Sequence, residues 1–570
     1  MASTLRTELR QQLETSASRV LWRIVTSGRM VELTGAGILA RAEELARQYC
    51  AAPERGVVLL LLPHSEELFL LHIGLILRNR VPAILAWPTN RIDPEKYQRN
   101  LLHQLRNLPA CQVITLRRLA GYLAPALPYS ATACEVENSE QFEKAFLPVD
   151  IELLDKRERH PESAPEDAVF LQFTGGTTGA QKSVVVTAPM LRHQMQRLAE
   201  ALAFTAEDTV ISWLPMYHDM GLIGCLWFPL WQGASSLHFS ATDWLLNPEL
   251  LFRYIEEFRG TFCWLPNFAF SYLAAQRERM NGNYRLQQVR AWISCSEPVR
   301  RASMNGFLAS FAGWGVKAEA LQASYAMAEN VFAVTQTVLG EPLPTLPRGA
   351  IRHCATSDSQ LAFDMIDAVY VSSGKILRGT EIRIMDNGVE SGNRQPGEIW
   401  IRSQSLFGGY WGNAGFLGNS LSADGWYSTG DYGFLAEGDL YVIGRMKDIV
   451  IVGGQNVFPE DVESVVNTVE GIYPGRAVAF GVDDEEYGTQ ALAIVAELRG
   501  PYDQAEAKRL QRAIQKLVLS TMGIAPRYVS VMPERWIVKS TAGKISRGET
   551  RARFQLEREN LVAAPVAVNP

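Results

Sequence analysis

The sequence predicts an α/β protein of more than one domain, and three observations lead to that fold class. The chain has 570 residues, which is too many for a single hydrophobic core. Up to about residue 340, short apolar runs that suit strands alternate with runs of helical period, as they do in layered α/β proteins. Strand-like runs dominate from about residue 380, and a second change near residue 445 begins a stretch that predicts a small α+β domain.

The predicted elements follow from local patterns along the chain. An amphipathic pattern predicts a helix over 34–50, a short apolar run predicts a strand over 57–62, and helical period resumes over 66–77. Residues 340–375 are proline-rich and irregular. The later elements are strands over 381–385, 398–401, 448–452, 477–482 and 490–498, a helix that starts at Pro459, a helix over 504–522 and a frayed tail over 562–570.

Composition excludes several classes of protein. The net charge of −6 argues against nonspecific nucleic-acid binding, which needs a basic surface. No apolar run approaches the roughly 18–20 residues that span a bilayer, and the N-terminal residues do not form a signal peptide. The seven cysteines are scattered singly, which favours a reducing compartment over a zinc site or a disulfide framework. We therefore expect a cytoplasmic protein with no nucleic-acid partner and no membrane span.

The segment 174–182 carries the strongest local indication of function. It reads Thr-Gly-Gly-Thr-Thr-Gly-Ala-Gln-Lys, so glycines can turn backbone N–H groups around an anion while Lys182 adds a positive charge. Apolar runs on both sides place this loop in a β-hairpin. A Walker A loop is disfavoured, because Gln181 takes the place of its last glycine and valines follow where a helix should begin. A polyphosphate ligand and a flexible hairpin without a ligand are both open on these residues alone.

This loop belongs to an ordered set of segments that resembles the adenylate-forming enzymes, the superfamily of acyl-CoA synthetases, luciferases and nonribosomal adenylation domains. The five segments are 174–182, 324–329, 428–431, 444–448 and 540–544. Two further segments resemble fatty acyl-AMP ligases: 213–224, with Trp-Leu-Pro-Met-Tyr-His-Asp-Met-Gly-Leu-Ile-Gly, and 292–300, which corresponds to the adenine segment. The irregular stretch 346–372 lies where those ligases carry an insertion that CoA-forming relatives lack.

The resemblance implies an architecture and a reaction. A large N-terminal adenylation domain of several subdomains would span 1–446, and a small mobile α+β domain would span 447–570. With ATP and Mg²⁺, the enzyme would convert a fatty or other carboxylic acid to an acyl-adenylate and release pyrophosphate. The acyl group would then pass to the phosphopantetheine thiol of a separate acyl carrier protein, for a lipid, polyketide or nonribosomal peptide product.

Three residues are implied to be catalytic, and each has a plainer alternative. Lys544 would bridge the substrate carboxylate and the α-phosphate, but a lone Gly-Lys pair also suits an exposed surface loop. Glu329 would bind Mg²⁺ with help from Thr178, since a hard cation prefers oxygen ligands; a glutamate at a helix start is the alternative. His218 would lie beside the acyl carboxylate and the thiol path, with a core histidine as the alternative.

Nucleotide contacts are implied along most of the chain. The implied ATP-binding residues are Thr174, Gly175, Gly176, Thr177, Thr178, Gly179, Lys182, Ser296, Glu297, Ser324, Tyr325, Asp431, Arg445 and Lys544. Among them, Tyr325 would stack on adenine opposite Ser296, and Asp431 would accept hydrogen bonds from the ribose hydroxyls. A core tyrosine and a turn aspartate are the alternatives.

The acyl pocket and the hinge are implied in the same way. The pocket would contain Trp213, His218, Met220, Gly221, Trp227 and Ala323. The bulky run 222–231 would wall an acyl tunnel or form a core helix, and the sequence does not decide between them. Lys447 would be the hinge between the two domains, with a solvated charge in a turn as the alternative.

Other functions compete with this interpretation. A CoA ligase, or an adenylating enzyme for another small acid, needs the same residues. A nonenzymatic adenylate or lipid sensor is disfavoured by the intact Lys544, Glu329 and Asp431, and a P-loop NTPase is disfavoured by the hairpin pattern. Departures from the family pattern, such as Gln181 and Ser183, remove no charged site residue and bear on substrate choice.

Overall fold

The computed structural model describes most of the chain, and the fold is described from those residues. They are 4–49, 56–88, 97, 101, 104, 110–116, 131–134, 167–174, 182–351, 369–412, 415–417, 421–452, 455–484, 489–539 and 545–563. Three predicted features fall largely outside them: the interior of the loop 174–182, most of the insertion 346–372, and the segment that carries Lys544.

Helices surround the sheets in the described part of the chain. The α-helices are Leu5–Thr15, Gly35–Tyr49, Glu66–Leu77, Ala188–Leu202, Phe228–Trp231, Ala241–Leu246, Glu249–Glu257, Asn267–Gln276, Arg301–Phe311, Pro459–Val466, Gln504–Met522 and Arg547–Ala563. A π-helix spans Met220–Trp227. Short 3₁₀ turns are Arg277–Arg279, Ala312–Trp314, Ala318–Ala320, Ala328–Asn330, Arg348–Ala350 and Met446–Asp448. None of the helices that could be searched in the described ranges is both long and apolar enough to cross a membrane.

A fourteen-stranded sheet forms the larger platform. In spatial order its strands are Val389–Glu390, Thr380–Asp386, Gly397–Ser403, Tyr427–Ala436, Asp439–Arg445, Gly374–Ile376, Ala333–Gln336, Leu321–Ala326, Ala291–Cys295, Phe262–Pro266, Thr209–Ser212, Ser235–His238, Val20–Thr26 and Arg29–Thr34. The run from Leu321–Ala326 to Val20–Thr26 is parallel, so the carboxyl ends of these strands meet at one edge, where ligands bind in open α/β sheets.

A second sheet of eight strands contains the hairpin around the loop 174–182. Its strands in order are Gly415–Leu417, Tyr410–Gly412, Ser183–Thr187, Ala168–Phe173, Val81–Ile84, Val57–Leu61, Ala110–Leu116 and Ala131–Cys134. One continuous hydrophobic core joins both sheets and the helices between them. The hairpin predicted around the loop is confirmed, since Ala168–Phe173 and Ser183–Thr187 pair antiparallel.

The residues from Val450 onward form smaller structures with hydrophobic clusters of their own. A hairpin joins Val450–Val452 to Gln455–Val457. A three-stranded sheet follows, with strands in the order Ile472–Asp484, Thr489–Leu498 and Tyr528–Met532. The predicted α+β character of this region is confirmed.

Several predictions differ from the structure in detail. The strand predicted over 448–452 begins only at Val450, because Met446–Asp448 form a 3₁₀ turn. The ends of the irregular stretch are ordered, since Thr345–Pro347 pairs with Val369–Val371 in a short antiparallel ribbon. The helix Arg547–Ala563 was not predicted and includes the first two residues of the supposed tail.

A buried ion cluster connects the C-terminal region to the rest of the chain. Asp461, in the first turn of Pro459–Val466, accepts two hydrogen bonds from Arg348 at 2.8 Å and one from Arg300 at 2.9 Å. Burial alone would raise the pKa of Asp461, but the two guanidinium groups outweigh it and lower the pKa to about 2. Because this pKa lies below the ordinary value of 3.8, the carboxylate contributes stability that is present above pH 4 and is lost as the pH falls toward 2.

We expect Asp461→Asn to loosen the contact between the C-terminal region and the remainder of the protein. The substitution leaves two buried guanidinium groups without their carboxylate, a change that destabilises by about 3 kcal/mol. Limited proteolysis at neutral pH should cut the variant faster between these regions, whereas Asp483→Asn, at an exposed position, should behave like the wild-type protein. Equal cleavage rates for both variants would contradict a structural role for this cluster.

Candidate active site

Two of the predicted nucleotide segments meet at the carboxyl edge of the parallel strands in the large sheet. Cys295 and Ser324 are register partners on neighbouring parallel strands. Ser296 and Tyr325, the next residues along each strand, therefore lie side by side at this edge. The site is thus built where the parallel strands end and the chain turns.

Two hydrogen bonds between Thr174 and Lys182 close the neck of the hairpin around the loop 174–182. Thr174 N–H donates to Lys182 O at 2.9 Å, and Lys182 N–H donates to the Thr174 hydroxyl oxygen at 3.2 Å. Gly175, Gly176, Thr177, Thr178 and Gly179 lie outside the described residues. The strand Ser183–Thr187 that follows Lys182 is incompatible with a Walker A loop, which opens a helix.

Glu329 is held by two tyrosine hydroxyls that the sequence did not point to. Tyr410 donates to Glu329 Oε1 at 2.7 Å, and the Tyr427 hydroxyl lies 3.4 Å from the same oxygen. Burial raises the pKa of Glu329, and the Tyr410 hydrogen bond partly offsets that rise. The Lys182 ammonium lies 4.4 Å from the centre of the Tyr410 ring, so the loop lysine and the predicted metal ligand share one tyrosine.

The backbone around Glu329 is strained and is held in place by buried hydrogen bonds. Val331 has φ 63° and ψ −52°, and Phe332 N–H donates to Asn330 O at 2.7 Å across it, which is a γ-turn of the rare positive-φ form. A β-branched residue is seldom found there, and such strain is of order 1–3 kcal/mol. Gln172 stabilises the turn by donating to Ala328 O at 2.7 Å and to Val331 O at 2.9 Å.

Asp431 lies in a second group of polar contacts next to the first. Its Oδ2 accepts a 2.6 Å hydrogen bond from Tyr325, and its Oδ1 lies 3.2 Å from Arg445 Nε. Asp431 and Arg445 are also register partners across two antiparallel strands. The Tyr325 ring packs in an apolar cluster, as the alternative of a core tyrosine predicted. Its hydroxyl nevertheless points at Asp431.

The remaining adenine-segment residues form the turn beside Tyr325. Ser296 has φ 68°, in the left-handed region, so the chain turns sharply as its strand ends. Glu297 Oε2 accepts from Phe268 N–H at 2.9 Å, which joins this turn to the end of the neighbouring strand. The Ser324 hydroxyl is buried and donates to Thr335 O at 2.8 Å.

His218 and Trp213 follow the strand Thr209–Ser212 at the same edge. His218 Nδ1 accepts from Met220 N–H at 3.3 Å and lies 2.6 Å from Asp219 Oδ1, so this largely buried imidazole faces the start of the π-helix. Trp213 stacks on Trp244 with ring centres 3.9 Å apart and planes 4° apart. Both rings are buried, and Trp213 precedes His218 in the same predicted segment, 213–224.

The run after His218 is a tightly packed π-helix, a conformation often found at functional sites. Met220, Gly221 and Trp227 are buried within it, and Ala323 is buried on its strand. Trp227 donates to His72 Nε2 at 3.0 Å and stacks on Phe170. This part of the run therefore packs as core, which was one of the two predicted alternatives. At Gly221 a Cβ atom would lie 2.3 Å from Pro215 O, so only glycine fits this approach.

Lys447 is exposed in the 3₁₀ turn Met446–Asp448, and Lys544 lies outside the described residues. The flanks of the segment that carries Lys544 are fixed, because Lys539 and Ile545 form an antiparallel bridge. Arg547, which begins the last helix, lies 2.8 Å from Asp448 Oδ2 and 2.8 Å from Glu463 Oε1. Through Arg547, the region next to Lys544 is joined to the predicted hinge.

The residues present fit a magnesium nucleotide. In the described ranges no group of three or more His, Cys, Asp or Glu residues could hold a metal ion. Mg²⁺ commonly uses only one or two carboxylates together with substrate phosphates. Oε1 of Glu329 takes the tyrosine contacts. Glu329 is therefore a candidate to supply one carboxylate ligand close to Lys182 at the neck of the loop 174–182.

Comparison with known proteins identifies the family. Residues 14–411 match the AMP-binding enzyme family, and the chain belongs to that family of adenylate-forming ligases. The medium-chain-fatty-acid–[acyl-carrier-protein] ligase JamA of Moorena producens is 28% identical over 418 residues, covering 70% of each chain. The probable long-chain-fatty-acid–AMP ligase FadD30 of Mycobacterium tuberculosis is 29% identical over 427 residues, covering 69% of this chain and 71% of the relative.

Solved structures share the fold. One comes from structural and functional studies of fatty acyl-adenylate ligases from E. coli and L. pneumophila; it has a TM-score of 0.81 at 22% identity and covers 98% of both chains. The McyG A-PCP structure, complexed with phenylalanyl-adenylate, has a TM-score of 0.79 at 20% identity and covers 97% of this chain and 84% of its own. The predicted fold class is thereby confirmed.

We expect Gln172→Met to weaken the turn behind Glu329. The substitution keeps most of the side-chain volume but leaves the Ala328 and Val331 carbonyls without their donor, a loss of about 2 kcal/mol. Thermal unfolding should therefore begin at a lower temperature, while Gln196→Met, on an exposed helix face, should leave the unfolding temperature unchanged. If both variants unfold like the wild-type protein, the two hydrogen bonds do not support the turn.

Proposed function

We propose that the protein activates a fatty acid with ATP, forms an acyl-adenylate with release of pyrophosphate, and transfers the acyl group to a separate acyl carrier protein. The observation that carries this proposal is that Lys182, Glu329 and Asp431, from three distant parts of the chain, are brought close together through tyrosine contacts. Lys182 and Glu329 both contact Tyr410, and Asp431 accepts a hydrogen bond from Tyr325.

Each group has a role that its chemistry suits. Lys182 and the backbone of the loop 174–182 bind the phosphates of ATP, and Asp431 accepts hydrogen bonds from the ribose. Glu329, with Thr178, holds Mg²⁺, which when bound neutralises phosphate charge. Lys544 draws the acyl carboxylate toward the α-phosphate, since two anions must approach each other and fixed positive charge lowers that barrier.

The second half of the reaction requires a different arrangement. We propose that the chain divides into domains 1–446 and 447–570, and that rotation about Lys447 removes Lys544 and admits the carrier thiol. Hinge motions of this kind expose one site at the expense of another. The relatives support the acceptor, because JamA is named as a ligase that uses an acyl carrier protein.

The acceptor and the acid are tested together. Purified enzyme is given MgATP and saturated acids of graded length, and acyl-adenylate is trapped with hydroxylamine. With the best acid, coenzyme A and a holo acyl carrier protein are then compared as acceptors. We expect hydroxamate from a fatty acid and efficient thioester formation only on the carrier. Efficient acyl-CoA formation would make the protein a CoA ligase instead.

Lys544→Ala should separate the two half-reactions. Adenylation should fall by about 10²–10³-fold or more, because a preorganised positive charge is lost in the transition state. Thioester formation from supplied acyl-adenylate should stay near the wild-type rate, because the lysine has left the site by then. Lys516→Ala, on an exposed helix face, serves as the control. Equal loss of both half-reactions would refute this role of Lys544.

A further inference from the structure

We propose that Tyr410 is a positioning residue that orients the Glu329 carboxylate for the divalent cation and aligns it with Lys182. The inference rests on the proposed function, in which Glu329 is the metal ligand, and it assigns a role to a residue outside the predicted site. It concerns the orientation of the Glu329 carboxylate rather than the identity of the substrate.

The segment 407–410 holds both the backbone and the side chain of Glu329. Phe407 N–H donates to Glu329 O at 2.8 Å, and three residues later the Tyr410 hydroxyl donates to Oε1 at 2.7 Å. The Phe407 ring packs edge-on against both tyrosines, with ring centres 4.9 Å from Tyr410 and 5.1 Å from Tyr427. The carboxylate therefore has little freedom to rotate.

The direction of the hydrogen bonds follows from the proton count. A phenol has a single proton, and the short contact shows that Tyr410 donates it to Glu329. Tyr427, whose oxygen is 2.9 Å from the Tyr410 oxygen and 3.4 Å from Oε1, then donates mainly to Tyr410. Such a chain of donors polarises each member toward the carboxylate. Because Oε1 is occupied by this chain of donors, the proposal assigns the cation to Oε2.

Tyr410 also fixes the loop lysine relative to this carboxylate. Its strand pairs with the hairpin, with Tyr410 opposite Val184 and Trp411 opposite Ser183, immediately after Lys182. The ring lies under the Lys182 ammonium at 4.4 Å, a cation–π distance. One side chain thus sets the separation between a phosphate-binding cation and a metal-binding anion.

Three substitutions separate these contributions. Tyr410→Phe keeps the ring under Lys182 and against Phe407 but removes the proton donated to Glu329. Tyr410→Leu removes the ring as well, and Tyr427→Phe removes only the more distant donor. The probe is Mn²⁺ binding in the presence of α,β-methylene-ATP, followed by electron paramagnetic resonance, because that complex forms without turnover.

We expect Tyr410→Phe to weaken Mn²⁺ binding by about tenfold, the scale of one hydrogen bond to a charged group, and Tyr427→Phe to weaken it by about threefold or less. In turnover, Tyr410→Phe should raise the Mg²⁺ concentration needed for half-maximal rate while kcat recovers at saturating Mg²⁺. Tyr410→Leu should in addition raise the KM for ATP.

Two results would overturn the inference. One is Mn²⁺ affinity in Tyr410→Phe equal to that of the wild-type protein, and the other is a fall in kcat that saturating Mg²⁺ does not restore. Failure of the proposed function is distinguishable, because the wild-type protein itself would then bind no Mn²⁺ with α,β-methylene-ATP. The unfolding temperature of Tyr410→Phe, expected to stay close to wild type, reports whether the fold is intact.

Discussion

The site depends on keeping one carboxylate, Glu329, charged and fixed at the edge of a buried sheet. Burial opposes its ionised form, since taking a charge out of water is unfavourable unless hydrogen bonds or charges compensate. Here the compensation comes from the hydroxyl of Tyr410, supported by Tyr427. Both the hydroxyl of Tyr410 and its strand pairing depend on the segment after Leu406 folding back toward the hairpin that carries Lys182.

The strained turn next to Glu329 follows from the same requirement. A chain that continued as a regular strand from Tyr325 would carry Glu329 away from the edge of the sheet. The γ-turn at Val331 reverses the chain within three residues, and Gln172 in the hairpin holds its carbonyls. Strain of this kind persists only where surrounding contacts determine it. The hairpin thus supports the proposed metal ligand, Glu329, as well as the proposed phosphate-binding loop 174–182.

Much of the fold could be predicted from the sequence because local signals agreed with it. The helix Gln504–Met522 has the predicted bounds, with Asp503 capping its start and Gly523 left-handed at its end. The helix Glu66–Leu77 likewise follows a capping serine, Ser65. The tyrosine contacts of Glu329 span 81 and 98 residues, and no periodic pattern encodes a hydrogen bond between such distant side chains. Tyr427 does lie immediately before the predicted segment 428–431, and that position was the signal in the sequence that could have pointed to this tyrosine.

We propose above all that this arrangement of residues adenylates a carboxylic acid. Exchange of labelled pyrophosphate into ATP, measured with and without the fatty acid that best supports hydroxamate formation, tests that claim most directly. We predict exchange that requires both the acid and Mg²⁺ and that is lost in Glu329→Gln, which keeps the size of the side chain but not its charge. Exchange that is absent with every acid in the panel, or that persists undiminished in Glu329→Gln, would contradict the account.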